Sequence, residues 1–200
     1  MRLLTATLLV AFSSAAYTLE KEEYAPLAEG AEWTMDVVVT YPNGNKATLT
    51  MHRKVEAIET HKGKEYYRGV TRLFKPGAES SARIITQLVR KDAAGLYTVD
   101  LGSEEATEQT ELLLPLQIGK NWMSVDEEIS FKVSVVAVET VTIAGKVYEN
   151  CFHIRMVSTD GLVTKDYWHA PNTGVVKQEA TQANGVALIA TLKKFKPGKK

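Results

Sequence analysis

Apolar and polar positions alternate along most of this chain, and a period of two marks strands with one face turned to a core. Trp33, Met35, Val37 and Val39 alternate with Thr34, Asp36 and Thr40. Pro42-Asn43-Gly44-Asn45 follows, and Asn-Gly between two alternating runs is a strong hairpin signal. The partner strand is predicted over 47–58, with Leu49 and Met51 on one face and Thr48 and Thr50 on the other. Turns at His61-Lys62-Gly63-Lys64, Asp92-Ala93-Ala94-Gly95, Asp160-Gly161 and Asn184-Gly185 separate the runs that follow. Those runs predict strands at 65–74, 81–90, 96–101, 129–141, 146–157, 162–168, 175–181 and 186–194. The one stretch open to a helical reading is 18–29. About ten strands in one flat sheet would twist and expose long edges. The expected fold class is therefore all-β, a curved antiparallel sheet forming a half-barrel or barrel.

The two halves of the chain resemble each other. Pro26-Leu27-x-x-Gly30-x-x-Trp33 recurs as Pro115-Leu116-x-x-Gly119-x-x-Trp122, at an offset of 89. Ala57-Ile58-Glu59-Thr60 parallels Ala137-Val138-Glu139-Thr140 at 80, and Gly63-Lys64-x-Tyr66 parallels Gly145-Lys146-x-Tyr148 at 82. Gly95 and Gly174 form a last, weaker pair, each between two strand-like runs. These matches predict two sequence-related halves of four or five strands, at about 24–102 and 112–195. In each, a glycine turn would deliver the chain into a strand opened by a large aromatic.

Composition narrows the picture. The 200 residues are 44% hydrophobic and 24% charged, an ordinary globular balance. Acidic and basic side chains cancel at 24 each, which speaks against binding nucleic acid by phosphate neutralisation. A single Cys excludes an internal disulfide framework and a cysteine-rich zinc site. Residues 1–16, with Arg2, the apolar run Leu3 to Phe12 and small residues Ser13 to Ala16, fit an export signal cut before Tyr17, a cut after Ala15 being the alternative. That run is too short for a transmembrane helix. The expected layout is a signal peptide at 1–16, one β domain at 17–195 and a basic tail at 196–200, in the periplasm or outside the cell. Cys151 would then meet an oxidising compartment. It sits in an alternating run with Phe152, Ile154 and Met156 on one face and Cys151, His153 and Arg155 on the other, so the reading is a semi-buried strand residue.

Three further segments resemble uncharacterised exported bacterial proteins of the DUF3108-like and TapB-like kind. They are Leu114-Pro115-Leu116-x-x-Gly119-x-x-Trp122, Glu139-Thr140-Val141-x-Ile143-Ala144-Gly145-x-Val147-Tyr148, and Tyr167-Trp168-x-Ala170-Pro171-x-x-Gly174-Val175-Val176-Lys177. The resemblance covers the second half, and departs from the family pattern at Ile143, where that pattern has Pro. It implies a curved sheet broadly similar to the LolA/LolB-like half-barrels of lipoprotein carriers, and no activity.

Catalytic signals are sparse. His52, His61, His153 and His169 lack metal-ligand spacing, and no Gly-x-Ser-x-Gly elbow is present. Glu22-Glu23, Glu104-Glu105 and Glu127-Glu128 are adjacent pairs, which on a strand would face opposite ways. The expectation is a protein without catalytic residues, metal or cofactor. The tail from Lys193 to Lys200 has five lysines in eight residues, read as solvated or weakly drawn to anionic surfaces. What remains is the concave face, expected to carry Trp33, Trp122, Phe152, Ile154, Met156 and Trp168. Such a face either fills itself or holds an apolar small molecule, lipid or lipoprotein. The alternative is a structural module of the cell envelope that meets a protein or polysaccharide through an edge strand or the Trp168-His169-Ala170-Pro171 loop.

Overall fold

A computed structural model describes residues 23–78, 80–101, 107–126 and 129–199. The export signal at 1–16 lies outside the described residues, as does the expected cleavage site; where 23–29 is described, it forms no helix. Alternation becomes strand throughout. The strands are β1 (Glu32–Thr40), β2 (Lys46–His61), β3 (Lys64–Phe74), β4 (Arg83–Lys91), β5 (Gly95–Asp100), β6 (Gln109–Leu113), β7 (Asn121–Asp126), β8 (Ile129–Ile143), β9 (Lys146–Ser158), β10 (Val163–Ala170), β11 (Gly174–Gln182) and β12 (Ala187–Lys196). All belong to one sheet in the order β6-β5-β4-β3-β2-β1-β12-β11-β10-β9-β8-β7. Every pairing is antiparallel, and the sheet curls into a nearly closed barrel. β6 and β7 are its two edges, which come together without a shared ladder. No helix among the described residues is long and apolar enough to cross a membrane.

Ten strands follow the alternation closely; β6 and β7 do not. Gln-Thr-Glu-Leu-Leu and Asn-Trp-Met-Ser-Val-Asp lack a clean polar–apolar alternation, and each strand is held by one neighbour only. Both are therefore products of the tertiary fold rather than of local pattern. With them, each half of the chain is a six-strand meander, and the halves join at the β1–β12 ladder.

The repeated openings make the same three hydrogen bonds. Gly30 N–H donates to the Val55 carbonyl and Gly119 N–H to the Val135 carbonyl, each at 2.9 Å. Val55 N–H returns to Ala31 as Val135 N–H returns to Lys120, and Ala31 and Lys120 each bond back three residues. Both glycines sit near φ +80 (81 and 85), which explains why that residue recurs. The strands that receive these bonds bulge just beyond, between Val55 and Ile58 and between Val135 and Ala137. Gly95 and Gly174 differ: Gly174 has φ +77, whereas Gly95 is close-packed, with 2.6 Å from its ideal Cβ position to the Leu112 carbonyl oxygen.

Segment 23–31 lies across the end of the barrel where β1 begins. Its backbone accepts hydrogen bonds from Asn172 at the β10–β11 turn, from Lys91 on β4 and from Lys199 beyond β12. Lys91 also pairs with Glu23. Tyr24 and Ala25 enter a core with Val89, Leu96, Leu112, Phe131, Val133, Val135, Phe152 and Ile154. Leu114 and Leu116, from the second opening, pack on the same core. The tail expected at 196–200 begins inside β12, and its described part is held by the Lys199–Glu29 bond rather than free in solvent.

The outer face buries residues too. β2–β3 and β8–β9 are long hairpins with internal bulges. Tyr66 packs with Leu88 and Val99 in one outer cluster, and Val141, Ile143, Cys151 and Trp168 belong to a larger cluster that continues to Met35, Val37, Val176 and Leu192.

Candidate functional site

Alternation on a curled sheet places every second side chain inside. The inward residues do not fill that space. A cavity of about 360 Å³ remains, partly open to solvent. Its floor is Tyr24, Ala25, Pro26 and Leu27, so the segment that plugs the barrel end also stops the cavity. One wall is apolar and adaptable, with Met35 on β1, Met51 and Val55 on β2, and Ile154 and Met156 on β9. The other is polar, with Thr71 on β3, Gln87 on β4, Thr98 and Asp100 on β5, and Gln109 and Glu111 on β6. Gly69 faces inward opposite Val55 and contributes no side chain. Ser124 and Val125 on β7 bring the cavity to the β6–β7 seam.

Two ionisable groups belong to the interior. His169 on β10 is 8% exposed, and its Nδ1–H donates to the Tyr24 carbonyl at 3.2 Å. Burial lowers its pKa to about 4, with the positive charge of Arg53 adding in the same direction, so the imidazole is neutral at pH 7. Arg53 on β2 is half-buried and lines the cavity between Met51 and Val55. Among the described residues no hydrogen bond or ion pair engages its guanidinium. Nearby, Gln178 donates to the Tyr167 hydroxyl at 3.4 Å.

Of the residues expected on the concave face, Trp33, Ile154 and Met156 line the cavity. Trp33 also donates its indole N–H to the Thr173 carbonyl at 2.7 Å and packs on Phe195. Phe152 lies beneath, edge-on to Tyr24 with ring centroids 4.8 Å apart. Trp122 packs against the same core, and its indole N–H is buried without a partner among the described residues.

Trp168 is a correction. Tyr167 and His169 line the cavity, so Trp168 between them faces outward. It is buried all the same, 7% exposed, because it stacks on His153 at 4.4 Å, donates to Glu139 at 2.8 Å and lies under Lys177. Of the expected Trp168-His169-Ala170-Pro171 recognition loop, Trp168, His169 and Ala170 are buried and only Pro171 is half-buried, so it offers little exposed surface. His153 bridges Glu139 and Asp166 at 3.2 and 2.7 Å, and among the described residues no group of three or more His, Cys, Asp or Glu side chains is arranged to hold a metal ion. Cys151 is fully buried on the His153 side of β9, and burial pushes its thiol up to about 11.

The sequence reading missed Arg53, His169, Tyr167 and the methionines Met35 and Met51 as cavity residues. Arg53 did leave a signal: a cation in the apolar phase of Leu49, Met51 and Val55. His169 and Tyr167 left none, since a tryptophan between them invites the opposite facing.

No protein-family model matches the chain, and no curated protein matches it in sequence. The resemblance to DUF3108-like and TapB-like proteins thus rests on its motifs alone. Solved structures do match. One is a protein predicted to be exported, with a YmcC-like fold, from Bacteroides fragilis: TM-score 0.56, 12% identity, covering 88% of this chain and 99% of that one. Another is a predicted lipoprotein from Parabacteroides distasonis: TM-score 0.52, 12% identity, with 88% and 99% covered. At that identity the likeness is one of fold, shared over 88% of this chain.

Proposed function

We propose that this protein is an exported, non-catalytic barrel that holds one apolar or amphiphilic molecule in its interior. The observation that carries the reading is the cavity of about 360 Å³, floored by Tyr24–Leu27 and walled by three methionines. Packed interiors leave few voids larger than a water, and small-molecule sites run from about 300 to 1,000 Å³. Methionine walls adapt to irregular apolar shapes. Export is supported by the pattern of residues 1–16 and by the descriptions of the two structural neighbours as exported protein and lipoprotein. The non-catalytic reading is supported by His169, whose Nδ1 is committed to Tyr24, and by Cys151, buried away from the cavity with its thiol protonated.

Native mass spectrometry of the mature protein, with uptake of the neutral fluorescent probe N-phenyl-1-naphthylamine, tests this. We expect one bound molecule per chain and saturable uptake. Gly69→Leu, which adds a side chain where the ideal Cβ has only ordinary contacts at 3.5 Å, should cut uptake severalfold in a folded barrel. Absence of any bound species together with no uptake overturns the proposal.

A second reading, docking of a partner strand, is favoured by the two unladdered edges β6 and β7 and by exposed Ile118 and Met123 beside them. Photo-crosslinking from position 123 in cells should capture one discrete partner if this edge is used.

A further inference from the structure

Inward positions of β2 read Leu49, Met51, Arg53, Val55, three apolar residues and one cation. Cross-strand partners of Arg53 are Trp33 and Thr71, both lining the cavity. Neither neutralises it, and no carboxylate reaches it among the described residues. Structural arginines elsewhere in this barrel are paired: Arg68 with Glu59, Arg72 with Glu56, Arg90 with Glu108 and Asp92, Arg155 with Asp166. A half-buried guanidinium without a protein partner stays available to an anion entering the cavity, and folding alone gives no reason to keep it there.

The charge is placed within the barrel. It acts on His169 of β10, across the interior from β2, and helps hold that imidazole neutral. Beside it run the methionine wall and the floor. The acidic groups of the cavity, Asp100 and Glu111, belong to β5 and β6 instead. An anionic group entering the cavity is thus attracted at β2 and repelled at β5–β6, which fixes one orientation.

We infer that the cavity selects a single-chain amphiphile with an anionic head, the head seated on the Arg53 guanidinium and the tail along Met35, Met51 and Met156. A carboxylate and a phosphate monoester both fit the planar donor fork of arginine. This inference rests on the ligand-binding reading above and adds the chemistry of the head.

The test is displacement of bound N-phenyl-1-naphthylamine by palmitate, hexadecyl phosphate and hexadecanol, which share a tail and differ in the head. Wild-type protein should bind at least one of the two anions about tenfold or more tighter than the alcohol. Preference for one anion over the other identifies a carboxylate or a phosphate source. Arg53→Gln should erase the preference, read as the ratio of anion to hexadecanol affinity within the one variant. Arg53→Lys should restore part of it, and Glu111→Gln should not weaken either anion. If the alcohol binds as tightly as both anions, or Arg53→Gln keeps the preference, the assignment of the head to Arg53 is wrong and the cavity reading stands. Failure of the neutral probe itself to enter wild-type protein brings down the cavity reading, and this inference with it.

Discussion

Trp33 and Trp122 occupy matching places in the two halves and are satisfied differently. Trp33 bonds the Thr173 carbonyl, whereas the Trp122 indole N–H has no partner among the described residues. Phenylalanine removes similar bulk at either site, so the difference between the variants isolates the N–H. Trp33→Phe should cost about 1 kcal/mol more than Trp122→Phe in urea denaturation, because only the first strands a carbonyl. Two titrations divide the acid range. His169 has a folded pKa of about 4, below its unfolded value, so its contribution is full above pH 6.5 and is lost as pH falls to 4. Glu108 is held at about 2, chiefly by the Arg90 guanidinium and against the cost of burial, so its contribution is lost between about pH 4.5 and 2. His169→Gln should flatten the stability profile in the upper window, where about 3 kcal/mol is at stake, and leave the lower one. Glu108→Gln should do the reverse. Denaturant midpoints across pH 2–7 decide both. Neither residue's role is visible in sequence, since the burial of His169 depends on Tyr24, 145 positions away.

At the level of elements, the glycine turns were legible and the seam was not. Gly30 and Gly119 each need a left-handed backbone, and a Cβ at either meets nothing within 4 Å. Gly30→Ala and Gly119→Ala should therefore cost about 1–2 kcal/mol each, from backbone strain alone. Gly95→Ala should cost more, because its Cβ would lie 2.6 Å from the Leu112 carbonyl oxygen and the ladder must shift. Thermal denaturation of the three variants checks the order. β6 escaped prediction, and β7 was foreseen only as the strand that Trp122 opens, because an edge strand needs no strong pattern of its own; one paired neighbour and a covered inner face suffice. Trp168 misled for a related reason. Alternation says which residues share a face, but a bulged hairpin can bury the outer face as fully as the inner one, and an apolar aromatic reads the same in either place.

For the whole molecule, the barrel is a joint product of its halves. The floor core draws Val89, Leu96 and Leu112 from one meander and Phe131, Val135 and Phe152 from the other. Residues 23–113 expressed alone should show no cooperative unfolding transition, since half the core would face water and the β1 edge would be open. A dispersed amide spectrum from that fragment would contradict this. The sequence by itself determined ten of the strands and the glycine turns, since those depend on residues near one another along the chain. It also supplied the inner face of strands such as β1, β2 and β9, because a period of two survives any curling of the sheet. Only the tertiary structure decided that twelve strands close to a seam, that segment 23–31 floors the interior, and that space remains above it. Closure, plugging and cavity depend on side chains distant in sequence meeting or failing to meet, and local pattern holds no record of such meetings.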